Sequence, residues 1–99
     1  MERRLTAILA ADVVGYSRLM GTNESGTLAA LDTLRTDLIN PKIAEHQGRI
    51  VKLTGDGMLV EFPSVVNAVA CAAEIQRGIR KRNAGVPKDH RIEFRMGVN

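Results

Sequence analysis

Aromatic residues are scarce in this sequence. Its 99 residues include no tryptophan, one tyrosine and two phenylalanines. A hydrophobic core therefore has to be built from Ala, Val, Ile and Leu, and an exposed aromatic surface for stacking nucleic-acid bases is poorly supplied. The apolar fraction of 44% still suffices for one small domain over residues 1–99 and excludes a disordered chain.

Cysteine is scarce as well, and the sequence has no long apolar run and no strong charge excess. The single cysteine, Cys71, excludes an internal disulfide and favours a reducing compartment. The longest early apolar run, residues 7–11, is too short for a signal peptide or a membrane span, so we expect a soluble cytoplasmic protein without membrane contact. A net charge of +3 is typical of an ordinary solvated surface and does not indicate a nucleic-acid partner.

Four short segments have the pattern of β-strands. Residues 6–11 are an apolar run that predicts a buried strand. Residues 49–53 and 58–62 flank a cluster of Gly and Asp, which is typical of a β-hairpin. Residues 91–98 alternate between polar and apolar, which predicts a strand with one buried face.

Helical periodicity fills the intervals between these strands. Residues 24–40 predict a helix that stops at Asn40, which would cap a short helix beginning at Pro41 and ending at Gly48. A second long helix follows Ser64 and ends in basic residues. The apolar stripe of the first helix, as core or in part as a dimer face, is Leu28, Leu31, Leu34, Leu38 and Ile39. The stripe of the second is Val65, Val66, Val69, Ala72, Ala73, Ile75 and Ile79.

The resulting order, β-α-β-β-α-β, predicts an α+β fold of the ferredoxin-like split βαβ type. Such a fold has an antiparallel sheet with helices on one face. Its first strand lies beside its third, so the end of residues 6–11 would adjoin the hairpin tip. This architecture hosts many functions, so function has to be argued from individual residues.

Two aspartates fall at that junction. Taken alone, Asp12 is a capping or turn residue and Asp56 a hairpin-tip residue. Because the topology brings them together, their charges would repel unless a cation lies between them. Carboxylates and backbone carbonyls suit Mg²⁺ or Mn²⁺ better than zinc. The adjacent turn, Val14 to Ser17, leads into a helix start whose amides could bind phosphate. A metal site next to a phosphate-binding turn suggests a site for a nucleoside triphosphate.

These segments resemble the catalytic domains of class III adenylate and guanylate cyclases. Residues 12–17 (DVVGYS) are similar to the first metal-binding segment of that family, and residues 48–57 (GRIVKLTGDG) to the second. The resemblance covers essentially the whole chain and is closest to bacterial cyclases whose catalytic domain opens the polypeptide. It continues through Glu61, Phe62 and the helix that follows.

The resemblance implies roles for individual residues. Asp12 and Asp56, with the carbonyl of Val13, would hold two Mg²⁺ or Mn²⁺ ions. Lys52 falls at the family's purine-reading position and favours ATP over GTP, although strand alternation alone would make it a solvent-facing lysine. The segments that would bind the rest of the substrate are Val14, Gly15, Tyr16, Ser17 and Gly55. The expected protein is a homodimer that converts ATP to cyclic AMP and pyrophosphate.

The sequence also departs from the family. Complete domains carry a second purine-selecting residue and an Asn…Arg pair further along, so we expect residues 1–99 to be the first half of a cyclase domain, able to bind metal and nucleotide but catalytically silent alone. The rival hypothesis is a non-enzymatic ferredoxin-like module that binds nucleotide or RNA. That hypothesis requires exposed aromatic residues on the sheet.

Overall fold

The computed structural model describes residues 6–99, so the first five residues of the predicted domain lie outside it. Four antiparallel strands form one sheet in the order β2-β3-β1-β4. The strands are β1 (Ala7–Val13), β2 (Arg49–Leu53), β3 (Gly57–Phe62) and β4 (Phe94–Val98). The α+β class, the split βαβ order and the pairing of the first strand with the third are confirmed.

Four α-helices accompany the sheet: α1 (Tyr16–Thr22), α2 (Glu24–Leu34), α3 (Asn40–Glu45) and α4 (Val65–Asn83). A π-helical segment, Arg35–Ile39, joins α2 to α3, and a 3₁₀ turn, Lys88–His90, precedes β4. Within residues 6–99, no helix has both the length and the apolarity that a bilayer span requires.

One face of the sheet is covered by helices and the other is open. Alternate residues of β1 are buried, and α4 packs against β1, β3 and β4. The largest fully enclosed side chains are Leu9, Ile39, Val60, Phe62, Cys71 and Ile75. Cys71 packs within this core, and its burial raises the pKa of the thiol to about 11.

The predicted stop at Asn40 is wrong. Asn40 has helical backbone angles and caps nothing, and its N–H donates to the carbonyl of Arg35, five residues earlier. Pro41 has no N–H and would crowd the carbonyl four residues before it in a regular α-helix. The wider π turn just before Pro41 relieves that crowding, so the chain stays helical as far as Glu45.

Several residues of the predicted apolar stripes do not lie in the core. Leu28 is 45% exposed, and Val65, Val66 and Val69 lie on the outer face of α4. The buried stripe of α4 is Ala68, Cys71, Ile75 and Ile79, which confirms the prediction for the two isoleucines. Ser64 caps this helix as predicted, since its Oγ accepts from the N–H of Asn67 at 3.1 Å. The prediction therefore gave the right element, with Ile75 and Ile79 on the right face and the three valines on the wrong one.

An acid-centred cluster ties α3 to α4. Glu74 accepts from Lys42 Nζ at 3.0 Å and lies 2.8 Å from His46 Nε2. The hydrogen bond from Lys42 holds the pKa of the Glu74 carboxyl below its usual value, and the same contact raises the pKa of Lys42. The contacts fix the end of α3, from which the chain enters β2.

Gly48, at the start of β2, is required by packing. A Cβ at this position would lie 2.6 Å from Phe62 Cε1 and 2.9 Å from Ile43 Cγ2, both in the core. The left-handed conformation that ends α3 belongs to the preceding residue, Gln47, with φ 62°. Gly48 therefore allows the close approach of α3 and β3.

We expect Gly48→Ala to lower the free energy of unfolding by about 1–3 kcal/mol, because the added methyl group forces the fully buried Phe62 to move. Urea unfolding followed by circular dichroism measures the change. The matched control is Gly21→Ala in α1, where a Cβ meets nothing within 4 Å and should stabilise the protein by about 0.5–1 kcal/mol. Equal effects of the two substitutions would contradict the packing role of Gly48.

Candidate active site

The open face of the sheet holds a groove of about 490 Å³. Asp12, Lys52 and Asp56 all line this groove. Arg95, on β4, lines the side of the groove opposite Lys52, which is on β2. The floor is formed by small or aliphatic residues of three strands: Ala10, Met58, Leu59, Met96 and Gly97. Three of the residues predicted to form the site thus share one concave surface.

Asp12 and Asp56 come together through the backbone. Asp12 pairs with Gly57 in the β1–β3 ladder, and the N–H of Val13 donates to the carbonyl of Asp56 at 2.8 Å. A Cβ on Gly57 would lie only 2.7 Å from the carbonyl oxygen of Ala11. Glycine at this position therefore allows the hairpin turn to lie directly against β1.

The turn that carries Asp56 is closed by its own hydrogen bonds. The N–H of Thr54 donates to the carbonyl of Gly57 at 2.9 Å, and the N–H of Gly57 donates to Thr54 Oγ1 at 3.0 Å. Both aspartate side chains remain partly exposed at the groove. The carboxylate oxygens of Asp12 and Asp56 can therefore contact a ligand in the groove without rearrangement of the turn.

Lys52 enters the groove because β2 contains a bulge. Ile50 pairs with Val60 and Lys52 with Leu59, so Val51 is an extra residue in the ladder. Residues paired directly across antiparallel strands share a face, and Leu59 faces the open side. The bulge thus places Lys52 on the same face as Asp12, whereas simple alternation from Ile50 would place it on the helix side.

The predicted phosphate segment lies beside this groove rather than in its lining. Gly15 has φ 63° and precedes α1, which begins at Tyr16 without a side-chain cap. Val14 and Ser17 are exposed, and Tyr16 packs partly against the core. A Cβ on Gly55 would lie 3.5 Å from the Tyr16 hydroxyl, so this segment adjoins the turn that carries Asp56.

Two arginines at the site were not among the predicted residues. Arg95 Nε donates to Asp12 Oδ1 at 3.0 Å, and Arg35 donates to the carbonyls of Thr54 and Gly55. The alternation of residues 91–98 could have placed Arg95 on the open face, next to β1. The position of Arg35 has no comparable sequence signal, because it depends on the π-helical segment.

The donor set around the aspartates consists of oxygen atoms. Within residues 6–99, no group of three or more His, Cys, Asp or Glu side chains could hold a metal ion. Two carboxylates with backbone oxygens are nevertheless a common environment for Mg²⁺, which keeps water or substrate phosphates as its other ligands. The residues present fit such an ion and do not fit a structural zinc site.

The rival hypothesis of an RNA-binding module has no support in this geometry. Phe62 and Phe94 are buried on the helix face, and Tyr16 lies outside the strands against the core. These are all the aromatic residues of the chain. The open face of the sheet therefore lacks the stacking platform that single-stranded RNA recognition uses.

Comparison with known proteins finds cyclases among the relatives of this chain. No protein-family model matches the chain. It is 50% identical over 99 residues to putative adenylate cyclase 3 of Rhizobium meliloti, of which it spans 17%. It is also 50% identical to the solved adenylate/guanylate cyclase/hydrolase of Silicibacter pomeroyi, with a TM-score of 0.89 over 99% of this chain and 57% of that one.

A further solved structure, the guanylyl cyclase Cya2, is 28% identical with a TM-score of 0.77, over 95% of this chain and 52% of that one. The chain thus spans about half of the solved cyclase chains and a smaller part of the curated relative. Sequence identity and overall fold agree in these comparisons. The chain therefore belongs to the adenylate/guanylate cyclase family, as part of a class III cyclase catalytic domain.

Proposed function

We propose that this segment supplies the metal- and nucleotide-binding side of an adenylate cyclase active site, which converts ATP to cyclic AMP and pyrophosphate. The observation that carries the proposal is the groove in which Asp12, Asp56 and Lys52 meet on the open face of the sheet. The two carboxylates suit the metal-bound triphosphate end of a nucleoside triphosphate, and the lysine N–H donor suits its base.

Asp12 and Asp56 would hold two Mg²⁺ or Mn²⁺ ions, with the carbonyl of Val13 as a further ligand. When bound, such ions lower the pKa of the ribose 3′-hydroxyl and neutralise charge on the triphosphate. Asp12 now pairs with Arg95, but both side chains are about half exposed or more. Ion pairs of this kind contribute about 0.2–1 kcal/mol, so a divalent cation can readily replace Arg95.

Other residues of the chain would orient the substrate. Main-chain N–H groups of residues 15–17 and Gly55 would contact phosphate oxygens, whereas the N–H of Val14 already donates to the carbonyl of Glu93 at 2.8 Å. Arg95, released from Asp12, is a guanidinium at the same surface. Lys52 would donate to a ring nitrogen of adenine. Protonated N1 and the amino group of guanine offer donors instead, so this lysine favours ATP.

The reaction needs little covalent chemistry from these side chains. The 3′-oxygen forms a bond to the α-phosphorus, and the bond from that phosphorus to the α–β bridging oxygen breaks. Pyrophosphate leaves with the electron pair of that bond, and the hydroxyl proton passes to solvent. Positioning by the groove and stabilisation of charge at phosphorus are therefore the main contributions expected of this segment.

The partner would be a second cyclase domain, in a homodimer. The edge strand β2 supports this, because Ile50, Val51 and Leu53 are 39–54% exposed and no helix of residues 6–99 covers them. Exposed apolar edge strands are generally protected by pairing or by a partner surface. The single buried thiol, Cys71, is compatible with the reducing cytoplasm in which ATP is abundant.

A titration with Mn²⁺ and ATP tests the proposal. If one groove binds both, the dissociation constant of ATP should fall about 5- to 150-fold at saturating Mn²⁺, and that of Mn²⁺ should fall by the same factor at saturating ATP. Isothermal titration calorimetry of the intact chain measures both directions. Independent binding of the two ligands would contradict a shared metal-nucleotide site.

A further inference from the structure

The side chain of Arg35 links the helical layer to the turn that carries Asp56. Its Nη2 lies 3.2 Å from the carbonyl oxygen of Gly55 and 3.4 Å from that of Thr54. These are the two carbonyls immediately before Asp56. One guanidinium group therefore contacts the backbone on which the second predicted metal ligand depends.

The π-helical segment brings Arg35 to this position. Leu34 and Ile39 are both buried, and they are separated by five residues rather than the three or four of a regular α-helical stripe. The segment between them thus accommodates one extra residue while both ends stay in the core. Arg35 is the first residue of that wide turn, and interruptions of this kind are frequent at functional sites.

The charge of Arg35 is not used for an ion pair with any residue from 6 to 99. Within the part of the chain that the structure describes, neither Arg35 nor Asp56 has an oppositely charged side chain within 4 Å. The guanidinium binds carbonyl oxygens and leaves the carboxylate of Asp56 open to the groove. Its Nε is enclosed and has no hydrogen-bond partner among residues 6–99.

An enclosed N–H without a partner is unfavourable for stability. A side chain chosen only to stabilise the hairpin could avoid this loss with a shorter or neutral donor. The arrangement is explained by Nη2 of the same guanidinium, which holds the carbonyls of Thr54 and Gly55 next to Asp56. Groups that orient metal ligands in this way commonly change metal affinity when they are replaced.

We propose that Arg35 is a positioning residue for the metal site. It holds the Thr54 and Gly55 carbonyls toward the helical layer, and this fixes the direction in which Asp56 faces Asp12 across the groove. The inference rests on the proposed metal-binding role of Asp12 and Asp56. It adds a residue that touches neither metal nor substrate and acts through the backbone of the turn.

Arg35→Met tests this role in the intact chain, because methionine keeps much of the aliphatic stem and removes every donor. We expect the dissociation constant for Mn²⁺, measured from the free-ion electron paramagnetic resonance signal, to rise about 10-fold. Arg35→Lys retains one cationic donor and should give an intermediate value. The control Arg80→Met removes an exposed cation from α4 and should leave the constant unchanged.

A second readout separates this inference from the metal site itself. In the metal-free protein, Arg35→Met should shift the amide ¹H–¹⁵N resonances of Gly55 and Gly57, whereas Arg80→Met should not. Unchanged resonances, or wild-type Mn²⁺ affinity in Arg35→Met, would overturn the positioning role. If the wild-type chain binds no Mn²⁺, the proposed function fails, and with it the role of Arg35 in metal binding, even where the resonances shift. If Arg35→Met does not fold, Mn²⁺ affinity and the amide resonances are measured in Arg35→Lys instead. Wild-type Mn²⁺ affinity or unchanged resonances in that variant would likewise overturn the positioning role.

Discussion

Replacing Asp56 by asparagine should abolish the rise in melting temperature that Mn²⁺ produces in the wild-type chain. At a Mn²⁺ concentration about 100 times the dissociation constant, binding stabilises a protein by about 2.7 kcal/mol. For a domain of this size, that is a rise of roughly 10–20 °C. Asparagine removes one of the two negative charges that attract the cation, so Asp56→Asn loses this stabilisation. Differential scanning fluorimetry with and without Mn²⁺ measures the effect.

The matched control is Asp32→Asn, which removes an exposed carboxylate from α2. This variant should keep the full response to Mn²⁺. The double variant Asp12→Asn/Asp56→Asn should show no response at all. Binding of Mn²⁺ that survives in the double variant would contradict the assignment of these two aspartates as metal ligands.

Lys52→Glu should weaken the use of ATP relative to GTP by roughly 5- to 150-fold. The loss of one purine contact in a site of this kind is worth about 1–3 kcal/mol, and the introduced carboxylate can accept from the donors that guanine presents. The ratio of kcat/KM for the two nucleotides, measured in the complete protein, reports the change directly. Binding competition between ATP and GTP gives the same ratio without turnover.

Lys81→Glu is the control for charge reversal, because Lys81 is exposed on the last turn of α4. It changes the net charge by the same amount and should leave the ATP/GTP ratio unaltered. An unaltered ratio in Lys52→Glu as well would mean that Lys52 is a solvent-facing lysine without a role in base selection.

The order of elements was predictable because each strand and the long helices have a strong local pattern. Residues 49–53 and 57–62 form the hairpin that the Gly- and Asp-rich cluster indicates, and Ser64 caps α4. Knowledge of this order is enough to place the third strand beside the first. The proximity of Asp12 to the hairpin turn follows from that pairing alone.

What could not be predicted depends on departures from regular geometry. Asn40 and Pro41 have the composition of a helix break, but the preceding π turn removes the steric reason for one. The valines after Ser64 satisfy a helical period from which the face that meets the sheet cannot be read. In both cases the deciding contacts are made by residues distant in the chain.

The candidate site divides in the same way. Asp12, Asp56 and Lys52 could be found because they lie in short distinctive segments. Arg35 could not, because its carbonyl partners lie 19 and 20 residues further along the chain and no spacing rule connects them. Sequence patterns thus indicate ligand residues more readily than the groups that hold those ligands in place.

The bulge at Val51 has a consequence for how this strand can vary in length among related proteins. Removal of one residue from a regular strand exchanges the two faces for every residue beyond the deletion. Here the extra residue is Val51, so a relative that lacks it would have an unbroken ladder with the pairs Ile50–Val60 and Lys52–Leu59 intact. Deletion of a single residue at this one position therefore leaves the pairing that lines the groove unchanged, whereas a deletion between Lys52 and Asp56 would alter the site.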